Sequence, residues 1–90
     1  MIQYEILITG RVQGVGFRYY VHRRANELGI KGWVKNTIEG NVLVVAQCDE
    51  SLINTFIDFL TIGPPLSRVD RISKHKMDSL SDFNNFSVKY

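Results

Sequence analysis

Two short stretches of this chain carry groups that can do chemistry on an anion. In the first, Gly10-Arg11-Val12-Gln13-Gly14-Val15-Gly16-Phe17-Arg18, an apolar strand-like segment gives way to a helical one with an arginine at its start. Gly14 and Gly16 permit positive φ and a close approach of backbone to ligand, because neither carries a Cβ. A helix amino end presents unpaired N–H groups and a partial positive charge. Arg18 adds a full cation at the end where the macrodipole disfavours one. A bound anion, a phosphoryl group foremost, would resolve that conflict. An ordinary strand-to-helix turn is the alternative, since the glycine spacing matches neither the Walker nor the dinucleotide pattern.

The second stretch is Gly32-Trp33-Val34-Lys35-Asn36-Thr37, just before a turn at Glu39-Gly40-Asn41. The Asn36 carboxamide offers donors and an acceptor without changing charge near neutral pH. At a strand end it can orient a water or close an Asx turn, and the local sequence leaves both open. Trp33 reads as packing. His22 and His75 stand alone, without metal-ligand spacing, and read as surface residues, so no metal and no cofactor is expected. Arg23, Arg24 and Glu27 read as a solvated helix face. Cys48 reads as a small buried hydrophobe.

These groups need elements to hold them. Ile2, Tyr4, Ile6 and Ile8 alternate with Gln3, Glu5, Leu7 and Thr9, which predicts a mostly one-sided first strand. Phe17, Val21, Ala25 and Leu28 recur at helical spacing, with Gly29 as the stop. Residues 30–37 and 41–48 read as a hairpin of two strands. Asp49 can cap a second helix whose stripe is Leu52, Ile53, Phe56, Ile57 and Leu60, ended by Gly63-Pro64-Pro65. Residues 68–77 give a fourth strand, and 86–90 a short fifth. The order strand, helix, strand, strand, helix, strand predicts an α+β, ferredoxin-like βαββαβ sandwich, with two helices on one face of an antiparallel sheet plus a short C-terminal strand.

Ninety residues suit one domain, taken as residues 1–90. The 44% hydrophobic and 22% charged content is that of an ordinary globular protein. No run is apolar and long enough to span a bilayer, and no signal-peptide pattern precedes the first strand, so no membrane partner and a cytoplasmic location are expected. A single cysteine excludes an internal disulfide framework and fits a reducing compartment. A formal charge of +2 is too small to argue for nucleic acid.

The chain resembles the small acylphosphatases. GRVQGVGFR, then GWVKNT, EGNV and GPP, carry the resemblance, which runs over nearly the whole sequence. It implies the same fold and hydrolysis of the carboxyl–phosphate bond of acyl phosphates by in-line attack of water. It also implies that Arg18 binds phosphate, that Asn36 positions the water, and that the backbone N–H groups of Gln13, Gly14, Val15, Gly16, Phe17 and Arg18 form the phosphate cradle. The partners implied are an acyl phosphate as substrate and inorganic phosphate as product and inhibitor, acting on a monomer. The departures are Cys48, where relatives often have glycine, and the ending Phe86-Ser87-Val88-Lys89-Tyr90. The competing reading is a catalytically silent module on the same fold that binds an anion or nucleic acid. Against RNA, Val42-Leu43-Val44-Val45-Ala46 carries no base-stacking aromatic.

Overall fold

Ile2, Ile6 and Ile8 of β1 (Ile2–Arg11) bury on one side of a sheet while Glu5 stays in water, the period-two sorting of a one-sided strand. The computed structural model describes every residue from Met1 to Tyr90. It continues with α1 (Phe17–Leu28), β2 (Lys31–Asn36), β3 (Val42–Cys48), α2 (Ile53–Ile62), β4 (Arg68–Lys76) and β5 (Phe86–Lys89). The sheet order is β4-β1-β3-β2-β5. This is the ferredoxin-like α+β sandwich that the element order predicts.

The sheet is mixed rather than wholly antiparallel. β1 pairs antiparallel with β3 and β4, and β2 with β3, but β5 lies parallel to β2, with Val88 opposite Val34. The reason is topological. β4 and β5 occupy opposite edges, so residues 77–85 cross one end of the sheet and deliver β5 beside β2 in the same direction.

That crossing also explains a buried polar residue on the face away from the helices. Gln3, expected among the outward polar side chains of β1, is 1% exposed. Its Oε1 accepts from the Ser81 N–H at 2.8 Å and from Gln47 Nε2 at 3.1 Å, which satisfies a buried amide that would otherwise be costly.

Both helices cover the other face. α1 buries Phe17, Val21 and Ala25, α2 buries Ile53, Phe56 and Leu60, and both stripes meet Ile6, Ile8, Val34, Val42, Val44 and Phe86 in one core. α1 ends where the Gly29 N–H donates to the Asn26 carbonyl and the Ile30 N–H to that of Ala25. Asp49 caps not α2 directly but the 3₁₀ turn Glu50–Leu52 that leads into it, accepting from the Ser51 N–H at 3.0 Å. Cys48 is 2% exposed in the core, and burial pushes its thiol pKa up. No helix is long and apolar enough to cross a membrane.

Arg24 is not the solvated residue that its sequence neighbours suggest. Its guanidinium carbon lies 4.6 Å from the Phe59 ring centre and 5.3 Å from that of Tyr20, while Nη1 donates to Glu27 at 3.0 Å. With Tyr20 donating its hydroxyl to the Phe59 carbonyl at 2.7 Å, these contacts join α1 to α2. The helical spacing put Arg24 on the surface of α1, but α2 supplies an aromatic wall there on which the guanidinium stacks, leaving its Nε buried without a hydrogen-bond partner.

Candidate active site

The loop between β1 and α1 turns on two glycines in the left-handed region, Gly14 at φ 74° and Gly16 at φ 78°. A Cβ at either position would meet nothing within 4 Å. Glycine is therefore selected here by backbone dihedral rather than by crowding from the protein. Gly16 is the residue from which α1 starts, and no side chain caps it. The first N–H to close back is that of Tyr20, onto the Gly16 carbonyl at 3.1 Å. The N–H groups from Gln13 to Tyr19 donate to no protein acceptor. No acidic residue lies in the first turn of α1. The result is an open, electropositive amino end.

A cavity of about 170 Å³ lies against this end. Its walls include Gly14, Gly16, Phe17 and Arg18 from the loop and helix, Asn36 from the end of β2, and Tyr90 from the chain terminus. Of the six residues expected to form the cradle, Gln13 and Val15 do not line it. The Gln13 side chain turns to the β2–β3 hairpin, and Val15 packs against the core. No Asp, Glu or His side chain lines the cavity, and nowhere do three His, Cys, Asp or Glu side chains gather as a metal group.

Arg18 has no acidic partner. Its Nη1 donates to the Lys89 carbonyl at 3.2 Å, and its guanidinium carbon sits 4.7 Å from the Tyr90 ring centre. A guanidinium with a backbone oxygen on one nitrogen and an aromatic ring beside it is held in place yet keeps donors for an anion. Asn36 is released from turn duty by its neighbour. Thr37 closes the hairpin, donating its N–H to the Asn41 carbonyl at 2.9 Å and accepting the Asn41 N–H on Oγ1 at 3.1 Å. The Asn36 carboxamide makes no such bond, and Asn36 stands in the wall of the cavity.

His75 is exposed, as expected of an isolated surface histidine. His22 is half-buried beside the Phe86 ring, with Asn26 Nδ2 at 3.3 Å from its Nε2. Trp33 lies on the face away from the helices, with Lys89 Nζ 4.4 Å and Lys35 Nζ 5.5 Å from its ring centre. Lys89 and Tyr90 escape a sequence-based reading of the site. The parity of β5 indicates which of its side chains face inward, but nothing local shows that the chain end returns to Arg18.

The family model for acylphosphatases matches residues 4–88. The acylphosphatase of Bacillus subtilis is 41% identical over 90 residues, covering all of this chain and 99% of that one. Its crystal structure superimposes with a TM-score of 0.97 over the whole of both chains. The acylphosphatase of Archaeoglobus fulgidus is 42% identical over the full length of both proteins. The likeness also extends to T. kodakarensis HypF, 37% identical with a TM-score of 0.87, where the matched region is 12% of a much longer chain. With the glycine loop and the asparagine hairpin meeting at one cavity, and the likeness running from end to end, this chain belongs to the acylphosphatase family.

Proposed function

We propose that this chain hydrolyses the carboxyl–phosphate bond of acyl phosphates, with Arg18 and the loop amides holding the phosphoryl group and Asn36 holding the attacking water. One observation carries the reading. A single cavity unites the uncapped amino end of α1, an arginine without an acidic partner, and a free carboxamide. An acyl phosphate departs as a carboxylate, a leaving group stable without protonation, so the reaction makes little demand for a general acid. Phosphoryl transfer passes through a loose transition state whose cost is mainly charge and positioning. N–H donors and the Arg18 fork stabilise the equatorial oxygens as charge shifts among them. No Asp, Glu or His side chain stands in the cavity walls as base, so an oxygen of the substrate's own phosphoryl group accepts the proton of the water.

The finer assignments rest on the same features. Inorganic phosphate presents the oxygens of the transferred group, so it occupies the cradle as product and competitive inhibitor. Edge strand β4 carries Arg68, Arg71, Lys74 and Lys76, charges that discourage sheet-to-sheet pairing and favour a monomer. The outward residues of central strands β1 and β3, such as Glu5, Leu7, Leu43 and Val45, include no aromatic on which a base can stack, which speaks against nucleic acid. The single, buried thiol of Cys48 suits a reducing cytoplasm.

The deciding assay compares a small acyl phosphate with a phosphate monoester, using the purified chain. A monoester leaves as a poor alkoxide and needs a strong proton donor, whereas the cavity walls offer only weakly acidic side-chain donors, among them Tyr19, Tyr90 and Arg18. Hydrolysis of the acyl phosphate alone is the expected result. Equal rates on both substrates would overturn the mechanism.

A further inference from the structure

The side chain of Gln13 makes two contacts that neither the cradle nor the fold requires. Its Nε2 donates one hydrogen to the Thr37 carbonyl and the other to the Asn41 carbonyl, each at 2.8 Å. Both acceptors are carbonyls, so the amide can face them only with its nitrogen. The two carbonyls bracket Asn36. Thr37 follows it in the chain, and Asn41 precedes Val42, the residue paired with Asn36 across the hairpin. The turn is already closed without Gln13, because the Asn41 carbonyl also accepts the Thr37 N–H and the Thr37 carbonyl also accepts the Gly40 N–H. Removing the amide therefore leaves neither carbonyl unpaired, and the cost to folding is small. What the two bonds fix is the distance between loop and hairpin.

We infer that Gln13 is a positioning residue: its backbone belongs to the phosphate loop, while its side chain sets the place of Asn36, and of the water Asn36 holds, relative to the bound phosphoryl group. The inference rests on the proposed role of Asn36. In-line attack needs the water behind the phosphorus, and a displacement of the order of an ångström in such a group lowers the rate steeply.

Gln13→Met keeps the length of the side chain and removes both donors; Gln13→Glu keeps the shape and turns oxygen toward oxygen. Each is expected to lower kcat about 10- to 100-fold, with the dissociation constant for inorganic phosphate nearly unchanged because the loop amides remain. In an Asn36→Ala background the same substitutions should add almost nothing to the loss, since the group they position is already gone. Gln13→Asn, which keeps the donors on a shorter arm, should fall between wild type and Gln13→Met, and it carries the test should the other two fail to fold. A loss of the same size in both backgrounds, or one confined to phosphate affinity, would overturn the inference while leaving the role of Asn36 intact. A wild-type kcat in Asn36→Ala alone would instead remove the role of Asn36, and this inference with it.

Discussion

The two helices of this protein begin in opposite ways. α2 is entered through a 3₁₀ turn in which the Ser51 N–H meets the chain's own Asp49 carboxylate, with Glu50 following in the first turn. α1 is entered through Gly16 in the left-handed region, with no side-chain cap, no acid in its first turn and an arginine as its second residue. A helix amino end is stabilised by negative charge wherever that charge comes from. At α2 the sequence supplies it permanently. At α1 the sequence withholds it and adds positive charge, which leaves the deficit open to the phosphoryl ligand of the proposed function. The price of α1's open end is lost capping, which the burial of Phe17, Val21 and Ala25 against the sheet offsets.

The largest test of this contrast is Arg18→Ala. Comparable arginines in phosphoryl transfer are worth about 10³–10⁵ in rate, and kcat/KM for acyl phosphate should fall in that range. Arg18→Lys should also lose most of the activity, because an ammonium cannot reproduce the planar two-point fork. Near-normal kcat/KM in the lysine variant would mean that bulk charge suffices.

A smaller effect, and a sharper one, comes from making α1 resemble α2. Gly16→Asp places a carboxylate of the chain at the open amino end, in space that is free and in a left-handed conformation that aspartate tolerates better than most residues. In the wild type, phosphate at a hundredfold excess over its dissociation constant should add about 2.7 kcal/mol of stability. That should appear as a rise in Tm of roughly 4–8 °C for each kcal/mol. Thermal melts of Gly16→Asp should show this rise greatly reduced. An undiminished rise would place the anion elsewhere.

The smallest effect belongs to the filled end. The hydrogen bond from the Ser51 backbone holds the Asp49 carboxyl below its ordinary pKa. A depressed carboxyl contributes stability above its unfolded value, and that contribution is lost as pH falls through the folded value. Asp49→Asn should therefore lower Tm slightly at neutral pH, with the difference from wild type vanishing in acid, while acyl-phosphate turnover stays at the wild-type level. A drop in turnover would mean that the two helix ends are not independent.

Much of the fold follows from local pattern. The alternation in β1, the 3.6-residue stripe of α1 and the presence of a hairpin turn, seated at residues 38–40 with Asn41 in its closing pair, are short-range facts. Arg18 and Asn36 stand out locally only as residues of suitable type beside a glycine loop and a hairpin turn, and an ordinary turn stays open at both until the family resemblance is added. Other features depend on segments far apart in the chain. Gln3 looks like an outward polar residue until residues 77–85 cross over it, and Arg24 looks solvated until α2 brings Phe59 against it. The parallel seating of β5 has the same origin, because strand parity is local whereas edge choice depends on how the whole chain crosses the sheet.

For the site, the sequence by itself determined which groups are present: a loop with glycines where φ must be positive, a cation at a helix start, and a carboxamide at a strand end. Whether Asn36 would close its own turn or be left free was open in the sequence. The structure decided it by giving the turn to Thr37. Only tertiary structure could bring Arg18 to the Lys89 carbonyl and tie Gln13 across to Thr37 and Asn41. Such bonds form between residues that share no sequence neighbourhood, and the packed sheet alone sets their distances.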